Sequence, residues 1–321
     1  MKAAVLHALD APPHYEDFPD PRPGPDEALV RVKAASLKNV DKAMASGSHY
    51  GSHRELPVIC GIDGVGVLDD GTRVFCGGSP PPYGMMAELT VVPKAFCLPV
   101  PADLDDRTAA ALPNPALSSW LPLLWRAKLK PGETVLILGA TGVSGKLAIP
   151  IAKHLGAGRV VAAGRNERAL KTLPALGADA TIALDQSDAE LTSAFAREAG
   201  QSRFDVILDY LWGRPTEILL AALTRDDVLA ESSVVRLIEI GDMAGPAISL
   251  PAAALRSSGI ELYGSGGGSI PHSAIFDAFP KLWALALAGK LPIDTEAVPL
   301  AEVESAWRRN DAAGRRLVLV P

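Results

Sequence analysis

Cysteine is scarce: Cys60, Cys76 and Cys97 are the only three in 321 residues, and no two form a Cys-x-x-Cys pair. An odd, widely spaced set excludes a disulfide framework and suits a reducing compartment. It also excludes a structural zinc, which takes about four closely spaced ligands. Catalytic zinc takes about three convergent ligands, and the six histidines are dispersed. His49 and His53 stand four apart, but Gly47 and Gly51 argue against a shared helical face. No metal is therefore expected. Also missing is any block of basic residues: Lys and Arg number 31 against 37 Asp and Glu, a net charge of -6, so neither nucleic acid nor an anionic membrane is expected as a partner. No apolar run approaches the roughly 20 residues of a spanning helix, and Ala3 to Leu6 is too short for a signal-peptide core. The expected location is the cytoplasm.

What is present is a chain with 48% hydrophobic residues, enough for a real core, and a length that suggests two domains. The first third reads as short strands. Ala3 to Leu6 is followed by Pro19, Pro21, Pro23 and Pro25, which cannot sit in a central strand, and then by the alternating stretch Ala28 to Ala34. Gly61, Gly64, Gly66, Gly71, Gly77 and Gly78 punctuate Val-rich runs, the pattern of a compact β-barrel or sandwich. Beyond Asp103 the composition shifts to Ala and Leu, with a helix predicted over Ser118 to Lys128 and Pro122 in its first turn.

From Thr134 strand and helix alternate. Strands are predicted at Thr134–Leu138, Val160–Ala163, Ala180–Leu184, Asp205–Leu208, Val234–Ile240 and Ile260–Tyr263. Helices are predicted near Val143–Leu155, Glu167–Leu176, Asp188–Ala199 and Thr216–Leu223. That rhythm is α/β and predicts a doubly wound parallel sheet. The tail adds a helix at Ala274–Leu287, a short one at Leu300–Trp307 and a strand at Leu317–Val320. Expected domains are residues 1–115, joined by 265–321, and 116–264.

The strand Thr134–Leu138 runs into Gly139-Ala-Thr-Gly-Val-Ser-Gly145 and then an apolar helix. Spaced in this way, Gly139 lets the strand turn, Gly142 lets backbone N–H groups reach a pyrophosphate, and Gly145 lets the helix pack on the sheet. Thr141, Val143 and Ser144 complete the candidate cradle. The second strand ends in Ala163-Gly-Arg-Asn-Glu-Arg168. An NAD site carries a carboxylate there for the ribose 2′-OH; Arg165 instead offers a forked, charge-assisted grip on a 2′-phosphate. The expected cofactor is NADPH, held by Gly164, Arg165, Asn166 and Arg168. Gly241, Gly264 and Ser265 follow late strands at carboxyl ends, where ligands of such sheets lie, and Tyr210 is a further candidate near the cofactor.

These residues resemble the zinc-independent medium-chain dehydrogenase/reductases of the quinone oxidoreductase family. The resemblance rests on Ala34-Ala-Ser-Leu-Lys-Asn-Val-Asp-Lys42, Gly61-Ile-Asp-Gly-Val-Gly-Val67, Tyr83-Gly-Met-Met-Ala-Glu88, Ala109-Ala-Ala-Leu-Pro113 and Leu129 to Gly142, with Val298 to Ala306 and Gly314 to Leu319 at the end. It implies a GroES-like catalytic domain built from both chain ends, a Rossmann domain between them, and homodimers paired through an edge strand, here Ile260–Tyr263. Zinc-dependent relatives carry a Cys three residues before the matching Asp and a later Gly-His-Glu; those positions read Lys38 and Gly61-Ile-Asp63. The chain departs from the quinone reductases in a short Val67–Val74 segment and in Ala43, where a tyrosine is frequent.

Without a Lewis acid, hydride transfer suits a quinone or α,β-unsaturated carbonyl, because conjugation spreads the developing charge. Asn39 and Lys42 resemble the family's cleft residues. Tyr50 is a third catalytic candidate, with His49 and Trp212 beside it as aromatic candidates. Two other functions fit the same motifs: a trans-2-enoyl thioester reductase, and a non-catalytic NADPH-binding redox sensor or structural protein.

Overall fold

A computed structural model of the chain describes residues 1–224, 233–309 and 314–321. It divides into one unit of residues 1–113 and 293–321 and a second of 114–292.

The first unit is β-rich. Its strands are β1 (Lys2–Leu6), β2 (His14–Asp17), β3 (Glu27–Ser36), β4 (Val58–Ile59), β5 (Asp63–Leu68), β6 (Arg73–Gly77), β7 (Leu89–Pro93) and β8 (Leu98–Pro99). The helices α1 (Asn39–Ser46) and α2 (Asp106–Ala111) accompany them. The predicted pattern of short, glycine-punctuated strands is present, with two sheets ordered β2-β1-β4 and, from the C-terminal end inward, β15-β16-β3-β5-β6-β8. Here β15 is Thr295–Pro299 and β16 is Arg316–Val320, and β7 pairs with β3. The final strand β16 lies antiparallel to β3 at Val318–Ser36 and Leu319–Ala35, so the chain end completes this sheet. Close approach explains one glycine here. A Cβ on Gly66 would meet Val30 Cγ1 at 2.3 Å and Arg31 O at 2.6 Å, so only glycine lets β5 lie this close to β3. Helix α2 starts where the Asp105 carboxylate accepts from the N–H groups of Arg107 and Thr108, and its Ala109–Ala110–Ala111 face is fully buried.

The second unit carries the parallel sheet. Helix α3 (Pro113–Leu121) leads into it, followed by β9 (Thr134–Leu138), α4 (Val143–His154), β10 (Arg159–Gly164), α5 (Glu167–Leu170) and β11 (Ala180–Ala183). Then come α6 (Asp188–Gln201), β12 (Val206–Asp209), α7 (Gly213–Leu223), β13 (Val235–Glu239), α8 (Ala252–Ser258), β14 (Ile260–Gly264) and α9 (His272–Leu287). The sheet order is β11-β10-β9-β12-β13-β14, every pair parallel. The order reverses between β10 and β12, on either side of β9, and such reversals open a crevice at the carboxyl ends of the strands. All five residues of β9 are buried, as a strand covered on both faces requires. The cluster around Leu136, Leu138, Val161, Phe195, Phe204 and Ile207 forms the core on one of those faces.

Three expectations need correction. The predicted helix Ser118–Lys128 is instead α3 ending at Leu121 and a π-helical turn over Pro122–Arg126, where the Ala127 N–H donates to Pro122 O at 2.8 Å. Pro122 has no N–H and its ring crowds the carbonyl four residues back, which disfavours regular α geometry there, and a π turn takes its place. The helix expected over Glu167–Leu176 is broken at Lys171–Thr172 into α5 and a short 3-10 turn, Leu173–Leu176, with Pro174 near the start of that turn. The return to the first unit begins at Ile293, not at residue 265. Helix α9 groups with the second unit, its apolar stripe Ala274, Ala278, Phe279, Leu282 and Trp283 buried.

Candidate functional site

The nucleotide candidates lie at the carboxyl edge of the parallel sheet. Gly139 leaves β9 in the left-handed region (φ 89°), and its N–H and that of Ala140 both donate to Ala163 O on β10, at 3.0 and 2.8 Å. The turn closes with Gly142 N–H donating to Gly139 O at 3.1 Å. Gly142 caps α4 with backbone alone: no side chain accepts from its first turn, so the N–H groups of Val143, Ser144 and Gly145 are presented to an anion. Gly145 is buried, and a Cβ on it would stand 2.3 Å from Gly139 O and 2.5 Å from Ala140 Cα. That is the physical content of the third glycine: helix and turn touch backbone to backbone.

Gly164, the last residue of β10, lies under Thr141, whose Cγ2 is 2.5 Å from where a Cβ would be. Arg165, Asn166 and Arg168 follow, all exposed. Asn166 Oδ1 accepts from the Ala169 N–H at 3.0 Å, so its carbonyl caps α5 and its amide nitrogen is the part left for a ligand. The structure thus brings Gly139, Thr141, Gly142, Gly145 and Gly164 together; Arg165 follows Gly164 directly, and Arg168 lies in α5, both exposed.

Tyr210 and Leu211, after β12, also reach this turn. A Cβ on Gly139 would meet Tyr210 Cβ and Leu211 Cδ2, each at 3.2 Å. The Tyr210 hydroxyl is turned away from any ligand role, since it is buried and donates to Ser118 O at 3.0 Å. Burial pushes its ionisation upward, against the opposing hydrogen bonds of Ser118 and Ser119. Gly241 adjoins the same segment, its N–H donating to Asp209 O at 3.3 Å. Gly264 ends the edge strand β14 and Ser265 follows it; the Ser265 N–H donates to Glu239 O and Arg126 Nε donates to Gly264 O.

Sequence reasoning passed over Asp209. Its side chain is fully buried at the end of β12, with Oδ1 accepting from the N–H groups of Leu211 (2.8 Å) and Trp212 (2.9 Å) and Oδ2 from Thr216 Oγ1 (2.5 Å). Trp212 is held at φ 54°, a left-handed conformation unusual for a bulky residue. Burial raises the Asp209 carboxyl above its ordinary range, against those three hydrogen bonds. The available signal was an acidic residue closing the apolar run Val206-Ile-Leu-Asp209.

In the first unit, Asn39 and Lys42 lie one turn apart on α1. Asn39 is exposed; Lys42 is half-buried, and loss of hydration holds its ammonium below the ordinary lysine range. Tyr50 is 84% exposed with its ring on His49, centroids 4.0 Å apart. Beneath α1 is a buried ionic cluster that sequence reasoning did not foresee. Lys38 and Asp63, at the two positions compared with zinc ligands above, pair with each other: Lys38 Nζ is 2.9 Å from Asp63 Oδ1. Among the described residues, no group of three His, Cys, Asp or Glu side chains is placed to hold a metal ion. No described helix is long and apolar enough to cross a membrane.

Two family models match the chain: "alcohol dehydrogenase GroES-like domain" over residues 24–102 and "zinc-binding dehydrogenase" over 144–287. The chain is 29% identical to the "probable NADPH-dependent quinone reductase" of Emericella nidulans, each covered in full. It is 30% identical to the chloroplastic NADPH-dependent alkenal/one oxidoreductase of Arabidopsis thaliana, over 57% of this chain and 50% of that one. Among solved structures, the Thermus thermophilus quinone oxidoreductase, also determined in complex with NADPH, superposes with a TM-score of 0.81 at 28% identity, each chain covered in full. A GroES-like unit made from both chain ends, a parallel sheet with a glycine turn at its switch point and these full-length likenesses lead to one assignment: the chain belongs to the medium-chain dehydrogenase/reductases, as a quinone oxidoreductase-like member.

Proposed function

We propose that this protein uses NADPH to reduce a quinone or an α,β-unsaturated carbonyl by hydride transfer. The observation that carries the reading is the uncapped first turn of α4 over the Gly139–Gly145 turn, with Arg165 exposed directly after β10. That arrangement fits a dinucleotide phosphate: the turn leaves no room for a side chain at Gly145, and no carboxylate stands at Arg165 to repel a 2′-phosphate. The activities for which the Emericella and Arabidopsis relatives are named agree with it. The chemistry that bound NADPH supplies is the hydride.

The chain's own residues bind and orient. The N–H groups of Val143, Ser144 and Gly145 take the pyrophosphate, and Arg165, with Arg168 behind it, takes the 2′-phosphate. Lys42, its ammonium already weakened by burial, is the proposed donor to the oxygen on which charge develops, with Asn39 one turn before it. The exposed ring of Tyr50 is assigned to substrate contact. A homodimer paired through β14, the sheet's edge, and a cytoplasmic location complete the proposal.

The test is a panel of quinones, small enones and trans-2-enoyl thioesters with NADPH. Turnover of a quinone or enone is expected. Turnover of thioesters alone would replace the substrate assignment, and tight NADPH binding with no turnover would make the protein a sensor or structural protein. Arg165→Ala is expected to weaken NADPH about 10- to 100-fold, the worth of a charge-assisted phosphate contact, and to leave NADH nearly unchanged. Titration by tryptophan fluorescence reads both, and an unchanged preference would remove Arg165 from the site.

A further inference from the structure

We propose that Lys38 is a positioning residue for the reductase reaction: its buried ammonium ties three chain segments together and so fixes the first turn of α1, which carries Asn39 and Lys42. The inference rests on the functional reading above.

The side chain of Lys38 is 1% exposed. Its Nζ donates to Ser36 O at the end of β3 (2.9 Å) and pairs with Asp63 Oδ1 at the start of β5 (2.9 Å) and, at 3.5 Å, with Asp41 Oδ2 in α1. The fully buried Asp41 carboxylate extends the link: Oδ2 accepts from the Lys38 N–H at 2.8 Å and Oδ1 from the Ile62 N–H at 3.1 Å. Arg316, on β16, donates from Nη1 to Leu37 O at 3.1 Å, giving two cations for two carboxylates.

Stability alone does not account for this cluster. Removing an ammonium and two carboxylates from water is expensive, and apolar side chains of similar volume commonly serve as well or better. The network is also incomplete, because Ser36 Oγ, Asp63 Oδ1 and Arg316 Nε are buried without a hydrogen-bond partner, the Lys38–Asp63 contact being an ion pair without hydrogen-bond geometry. Burial raises the Asp63 carboxyl despite the nearby Lys38 and lowers the Arg316 guanidinium, so the groups sit here at a cost. What an ammonium supplies and a methyl group cannot is direction. Its hydrogen bonds reach the end of β3 and the first turn of α1 and its ion pair reaches the start of β5, so the turn between Leu37 and Lys42 is held from both sides. A misplacement of about 1 Å at a reacting group can cost about 100-fold in rate.

The test separates stability from positioning. Lys38→Met alone strands two buried carboxylates and is expected to lower the melting temperature. The pairs Lys38→Met/Asp63→Asn and Lys38→Met/Asp63→Leu remove the second charge, and at least one should melt within about 5 °C of the wild type. That protein is scored on the quinone or enone the wild type reduces. The expected result is NADPH bound at one per chain, with a dissociation constant within about twofold, and kcat lowered at least about tenfold. A wild-type kcat in the refolded pair would overturn the proposal and leave the reductase reading intact. Failure of both pairs to recover the melting temperature would overturn it too, since the cluster would then be a stability element. A wild type that turns over nothing on the panel removes the reductase reading itself, and this inference with it.

Discussion

Gly145→Val should abolish NADPH binding and destabilise the second unit together. A Cβ at this position would lie 2.3 Å from Gly139 O, 2.5 Å from Ala140 Cα and 2.8 Å from Gly139 C, and all three are backbone atoms with no rotamer by which to withdraw. The turn must open or α4 must lift from β9. Either movement displaces the N–H groups of residues 143–145 from a common focus, and an anion held by several converging donors loses most of its binding when they diverge. The expected weakening of NADPH is over about 100-fold, with about 2–4 kcal/mol of stability lost, a large value of the kind that overpacking against backbone produces. Gly142→Ala is the internal control. Gly142 has φ -80°, and a Cβ there meets only Gly139 O, at 3.5 Å, an ordinary contact. Its melting temperature should match the wild type, with any loss confined to the ligand that the new methyl faces. Fluorescence titration and thermal unfolding on both variants check the pair; a Gly145→Val protein that binds NADPH like the wild type would mean that the cradle is elsewhere.

The nucleotide element was legible in the sequence because each of its parts has a local cause. Thr134–Leu138 reads as a strand because it is apolar on both faces, and it is buried on both. Gly139 and Gly145 stand where a left-handed turn and a backbone contact leave no alternative, and Arg165 follows the next strand by one residue. The illegible parts have non-local causes. That Lys38 pairs with Asp63, 25 positions away, depends on how the start of β5 meets the end of β3, which no spacing rule encodes. The Tyr210 hydroxyl looked available to a ligand, and it is consumed by Ser118, 92 residues earlier in the chain. The periodicity of Ala274–Leu287 showed a buried stripe without saying which unit would bury it. Pro122 was visible, yet its effect depends on where the helix starts. At the first turn it would be harmless; α3 begins at Pro113, so Pro122 falls past the helix middle and a π turn takes up the strain.

Asp209 should behave as a structural carboxylate that the nucleotide site depends on, and two substitutions with opposite expectations expose this. Asp209→Leu leaves the N–H groups of Leu211 and Trp212 and the hydroxyl of Thr216 buried without their acceptor. At about 1–3 kcal/mol for each stranded group, partly offset by relaxation, the expected loss is about 3–5 kcal/mol, or about 10 °C in melting temperature. The left-handed Trp212 loses the bonds that hold it, and the Tyr210–Leu211 segment slackens against Gly139, so NADPH affinity should fall as well. Asp209→Asn keeps an oxygen for both N–H groups and turns its amide toward Thr216 Oγ1, which can accept; the expected loss is under about 1 kcal/mol. The pH dependence then identifies the ionisable group. Because burial raises this carboxyl in the folded state, the native protein holds its proton where the unfolded chain has released it. The resulting stability is fully present below the ordinary value near 3.8 and is lost as pH rises through the folded-state value. Unfolding followed upward from that pH should therefore show the wild type losing stability relative to Asp209→Asn, whose residue 209 does not titrate. Parallel curves across that range would mean that the Asp209 hydrogen bonds fully offset its burial, and would leave the carboxylate ionised in the fold.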